Sequence, residues 1–120
     1  MTNLEKKVQI IRRPEKGTFK VVQLYLDGEP YLMCGYTDRD DYHRELLAYF
    51  LQHMGVEYSE ISVPNHEELT MPSLGSEEER YQVVGMGKAE IDTQKRIFLL
   101  PCLDSYDYGI SPDKKFNDLI

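Results

Sequence analysis

Cysteine is scarce in this chain, base is outnumbered by acid, and long apolar runs and nucleophile motifs are missing. Each absence removes a class of protein. Two cysteines in 120 residues, Cys34 and Cys102, are too few for a disulfide-stapled scaffold. Both sit inside apolar, strand-like runs and read as buried thiols of a reducing compartment, a disulfide being the minor alternative. Fourteen basic residues stand against 21 acidic ones, a net charge of −7. That balance excludes the basic surface by which a protein holds DNA, RNA or an anionic membrane, so an anionic ligand needs a local basic pocket. No apolar run is long enough to span a bilayer, and no hydrophobic signal segment follows Met1, so a cytoplasmic protein is expected. His43, His53 and His66 lack the spacing of paired metal ligands, and "TDRDD" lacks the glycine and distal glutamate of a calcium loop. Neither a metal nor another cofactor is therefore expected. There is no G-x-S-x-G motif and no internal repeat.

What remains is the composition of an ordinary globular protein, 41% hydrophobic and 29% charged, of a length suited to one domain. Residues 5–11 read as a short strand ended by the turn cluster "RRPEKG". In "TFKVVQLYLDGEPYLMCGY" two β-rich runs, Phe19–Leu26 and Tyr31–Tyr36, flank Asp27-Gly28, a dipeptide suited to a tight hairpin turn. Pro30 belongs at the edge of that turn, since it donates no ladder hydrogen bond. A helix is predicted over Asp40–Met54. His43, Leu46, Leu47, Phe50, Leu51 and Met54 fall on its inner face, and Arg44, Glu45, Ala48 and Gln52 on the other. Asp38 or Asp40 would cap it, Asp41 would favour its N-terminal dipole, and Gly55 would end it in the left-handed conformation. "VEYSEISV" reads as a strand and Pro64–Glu79 as a long acidic loop. "RYQVVGMGKAEI" and "KRIFLLPCL" read as two further strands, the second apolar enough to be central. Ser111 and Pro112 open a short C-terminal helix. The sum is an α+β single domain: a mixed sheet of five to six strands with two helices packed on it.

Three positions carry candidate chemistry. A helix N-terminus disfavours an imidazolium at His43, which suits a general base, and its N–H groups suit an anion; the neighbouring aspartates pull the other way. The alternative is a half-buried His43 bonded to a carboxylate or carbonyl. "GMGK" lets a backbone approach a ligand with Lys88 beside it, although it is no P-loop, and a β-bulge with an exposed lysine is its plain alternative. Lys20 shares a strand face with Val22 and Leu24, an awkward place for a charge unless it lies at the end of the sheet.

In order, "GTFKVV", "GY…DYHRELLAYFLQHMG", "GMGKAEI" and "KRIFLLPCLDSYDYGIS" with a terminal lysine-bearing helix resemble the Janus/Ocnus family, the small protein phosphohistidine phosphatases. The resemblance covers most of the chain from Gly17 onward, apart from 64–79. It implies a mixed sheet with a helix on each side. It further implies metal-independent hydrolysis of a phosphoramidate, on a phosphohistidine-containing protein or a small molecule. The family's Tyr-His pair falls on Tyr42-His43, which gives His43 the role of general base toward water. Its hairpin lysine falls on Lys20, and its arginine after the glycine run on Lys88, which keeps the charge and loses the bidentate fork. Its phosphate-binding segment falls on Ser105–Gly109. Two positions depart from the pattern: an arginine is replaced by Cys34, and a small residue by Asp107, whose carboxylate would repel phosphate. The second reading is a non-catalytic module of the same fold that binds a phosphorylated or basic partner. An acidic inhibitor or immunity-type protein is a third.

Overall fold

The computed structural model describes residues 8–12, 15, 17–36, 42–64, 66–75, 80–92, 96–100, 108 and 110–117. Its elements are β1 (Gln9–Ile11), β2 (Gly17–Leu26), β3 (Glu29–Tyr36), α1 (His43–His53), β4 (Glu60–Val63), β5 (His66–Pro72), β6 (Tyr81–Ile91), β7 (Ile97–Leu100) and α2 (Lys114–Asn117). Five strands form one mixed sheet in the order β1-β3-β2-β6-β7, and β4 pairs with β5 in a separate two-stranded sheet. The β1–β3 pair is parallel and the others are antiparallel. The α+β class and the helices packed on a mixed sheet are as the sequence predicts.

The hairpin of β2 and β3 forms because Asp27 and Gly28 both take positive φ, 51° and 82°, the geometry that matches strand twist. The pairing then follows from the two-residue turn: Leu26 faces Glu29, Tyr25 faces Pro30, and Lys20 faces Gly35. Alternation along β2 sends Val22, Leu24 and Leu26 to one side of the sheet. There they join Met33, Met86 and the buried helix residues Leu46, Leu47, Phe50 and Leu51. Phe19 and Val21 point to the other side, with Leu32, Cys34, Ala89, Ile91 and Phe116 of α2. Two cores on one sheet make β2 its central strand, and each fully buried leucine or phenylalanine contributes about 1.5–3 kcal/mol.

Several expectations are corrected. Helix α1 begins at His43, with Tyr42 in extended conformation as its N-cap, its backbone N–H donating to Glu45 Oε1 at 3.1 Å. The predicted caps Asp38 and Asp40, and Asp41, lie outside the described residues. Gly55 does end the helix with φ of 69°. The stretch 64–79 is not one loop: His66–Pro72 is strand β5, in register with β4 through Ile61–Met71 and Ser62–Thr70. Leu69, Thr70 and Met71 supply the β-branched and apolar positions that pairing needs, which the surrounding acids and prolines obscure. Among the described residues strand β7 is last in the sheet order, not central. Phe98 is 48% exposed there, while Ile97 is buried in the core under α2. Cys34 is a buried thiol; Cys102 lies outside the described residues.

Candidate functional site

Lys20 and Lys88 are cross-strand partners in the β2–β6 ladder, and Lys20 is in turn the partner of Gly35 on β3. The three form one row across the sheet, on the face that α1 covers. A local irregularity creates this row. From Leu26–Tyr81 to Leu24–Val83 the strands run in one register, and from Gln23–Gly85 onward they run shifted by one, leaving Val84 as the extra residue of a β-bulge. A one-residue slip turns every later side chain to the opposite face. Before the bulge Tyr81 and Val83 face α1; after it Met86 does, and Lys88 follows by alternation, while Ala89 and Ile91 face α2. Without the bulge Lys88 would stand opposite Phe19 in the other core.

The N-terminus of α1 lies over this row. Gly35 gives it room, since a Cβ there would collide with the Leu46 side chain. His43, the first helical residue, is 6% exposed, and its Nε2–H donates to the Gly87 carbonyl at 2.8 Å. A carbonyl only accepts, so Nε2 carries the hydrogen in this bond. Tyr42, just outside the helix, is 44% exposed. The Lys20 ammonium lies 5.6 Å from its ring centroid and the Arg44 guanidinium 4.2 Å from it. Lys20, Lys88 and Arg44 are all half-buried.

Like charges directly opposite in a ladder are destabilising. Two half-buried lysines at facing positions, beside the positive end of a helix, present positive charge on this face. A phosphoryl group has the charge and the acceptor oxygens for it. Among the described residues no group of three or more His, Cys, Asp or Glu could hold a metal ion.

Of the residues singled out from sequence, the structure brings Lys20, Lys88 and His43 to one face and one end of α1. Ser105 and Asp107 lie outside the described residues. Cys34 adjoins the row but lies on the opposite face of the sheet: it pairs with Val21 and belongs to the core under α2, so an arginine there would point away from Lys20. The hairpin turn fixes that pairing, and the signal was therefore present in the sequence. His53 and His66 are exposed. Sequence reasoning missed the roles of Tyr42 and Arg44, for which the only cue was an aromatic beside a basic residue at a helix start. No helix of the described residues is long and apolar enough to cross a membrane. Among protein-family models, curated proteins and solved structures none matches the chain, so the likeness to the Janus/Ocnus phosphatases rests on its residues alone.

Proposed function

We propose that this chain is a phosphoryl-binding domain that hydrolyses a phosphoramidate bond, as a metal-independent phosphohistidine phosphatase of the cytoplasm. The observation that carries the reading is the cross-strand pairing of Lys20 with Lys88, two cations on one row of the sheet, at the helix start that bears His43. In this reading the two ammonium groups hold the phosphoryl oxygens. The segment Ser105–Asp107 supplies further contacts, as the resemblance implies. His43 takes a proton from the attacking water at Nδ1, while the bond from Nε2 to Gly87 fixes the ring plane. The water oxygen bonds to phosphorus, the P–N bond breaks, and the departing imidazole nitrogen gains a proton. A base must be neutral to act, so turnover rises with pH as the ring loses its proton.

The burial of His43 and its bond to Gly87 favour a second reading, in which the ring is a structural donor and the domain binds a phosphorylated partner without cleaving it. Phosphate release from a phosphohistidine peptide, measured with and without EDTA, separates the two. Release that persists in EDTA supports the hydrolase. Binding of the peptide without release leaves the module. Neither binding nor release removes both.

A further inference from the structure

We propose that the outer edge of β4 takes up, as an added strand, an extended polypeptide segment in which basic and apolar residues alternate. Strands β4 and β5 stand apart from the main sheet and, among the described residues, pair only with each other. The Ser73 N–H donates to the Ser59 carbonyl at 2.8 Å, which makes these two a hydrogen-bonded pair of the ladder. Alternation makes Ile61–Met71 the next bonded pair and leaves Glu60–Pro72 and Ser62–Thr70 as non-bonded ones. The place of Pro72 agrees, since proline has no N–H to give. The main-chain N–H and C=O groups of Glu60 and Ser62 are thus turned away from β5. On the β5 side the outward Pro72 carbonyl accepts the Tyr108 hydroxyl at 2.6 Å. On the β4 side, among the described residues, no group outside the hairpin bonds to Glu60 or Ser62.

Ladder groups left open on an edge are a template for another strand. The side chains choose the partner. Ile61 shares a face with Met71, yet Met71 is buried and Ile61 is 43% exposed; a strand laid beside β4 would cover it. Glu60 and Ser62 lie on the opposite face by alternation and are exposed, as are Glu57 just before the strand and Glu68 on β5. Among the described residues none of these three glutamates forms an ion pair or a side-chain hydrogen bond. No lysine or arginine occurs between Arg44 and Arg80, and His66, at the turn end beside Val63, is the one basic residue of the hairpin. Edges are commonly closed by lysine or proline. The β4 edge carries neither, and its glutamate repels an acidic chain and attracts a basic one. A second copy of β4 would bring its own Glu60 and a net charge of −7, so like charge opposes self-pairing. A segment with lysine or arginine beside Glu60 and an apolar residue beside Ile61 matches both faces. Neither β4 nor β5 carries a residue of the candidate phosphoryl site, so this interaction is independent of the proposed function.

The test is fluorescence anisotropy of the full chain with a fluorescein-labelled heptapeptide of alternating lysine and valine. Two changes separate strand addition from attraction between charges. Ser62→Pro removes an outward N–H and leaves the Ile61–Met71 bonds in place. The same peptide N-methylated at every residue keeps its charge and loses its ladder N–H groups. The expected result is binding that weakens with salt, falls at least tenfold with either change and is absent for a glutamate–valine heptapeptide. Absence of binding, or binding that either change leaves intact, overturns strand addition at β4. Equal binding of the glutamate–valine peptide overturns the basic character of the partner. A wild-type chain that sediments as a dimer, and as a monomer once Ser62→Pro is made, overturns the assignment to a foreign segment in favour of a second copy. Thermal unfolding of Ser62→Pro within a few degrees of wild type excludes misfolding; if it falls outside, Glu60→Lys is held to the same criteria.

Discussion

Replacing Gly85 with alanine tests the fold at the point on which the site depends. Gly85 follows the bulge and pairs with Gln23, a glutamine with no exposed surface. Both ends of that side-chain amide hold the segment leading to α2: Nε2 donates to the Asp113 carbonyl at 3.0 Å, and Oε1 accepts the Asp113 N–H at 2.6 Å. A Cβ on Gly85 would collide with Oε1 and lie 2.6 Å from the Asp113 nitrogen and 3.0 Å from the Ser111 carbonyl oxygen. Ordinary contact begins near 3.4 Å, so the segment must move by roughly 0.8 Å, enough to carry the 3.0 Å bond beyond hydrogen-bond reach. Overpacking of this kind costs about 1–3 kcal/mol, and a lost hydrogen bond about 1 kcal/mol more. The total is about 2–4 kcal/mol. At about 2.1 cal/mol/K per residue, the unfolding entropy of a chain this size converts that to a Tm roughly 8–16 °C lower. Thermal unfolding followed by circular dichroism measures it. Gly85→Ala should also cost less by about 1 kcal/mol or more in a Gln23→Ala background, where the collision with Oε1 is gone. A Tm within about 2 °C of wild type, or strictly additive costs, refutes the clamp.

Lys88→Met removes one of two facing charges. It should leave stability unchanged or raise it by about 0.2–1 kcal/mol, and abolish the Tm increase that the proposed site predicts for the wild type in inorganic phosphate; an undiminished phosphate effect argues against the lysine row. His43→Ala leaves the Gly87 carbonyl without this donor and should cost about 1–3 kcal/mol. His43→Gln, whose amide can still donate, should recover much of that in a thermal melt while turnover stays down roughly 10²–10⁴-fold. Asp27 tests the hairpin. The Arg80 hydrogen bonds, at 3.0 and 2.6 Å, and then its charge hold the Asp27 carboxyl below the usual carboxylate value. A pKa lowered by folding contributes stability above the unfolded value of about 3.9 and loses it as pH falls through the folded one. Asp27→Asn should therefore lower Tm at neutral pH, the difference closing in acid below about pH 4; a difference independent of pH contradicts the pairing.

Local chemistry decided much of this protein before any tertiary contact. Asp27-Gly28 set the turn, and a two-residue turn sets the whole pairing of β2 with β3, including Lys20 opposite Gly35 and Cys34 on the far side. The apolar spacing from His43 to Leu51 set the inner face of α1, because a 3.6-residue period can bury only one stripe. Strand β5 was legible only weakly, since Leu69, Thr70 and Met71 stand among acids and prolines that favour a loop. Nothing local could place Lys88. Its face depends on the bulge at Val84, and the bulge depends on Gly85 and Gln23 accommodating a segment 90 positions from Gln23 in the chain. The pairing of the two lysines and the seat of His43 on the Gly87 carbonyl follow from that register. A register between strands far apart in sequence is chosen by the packing of both faces at once, which no short window contains.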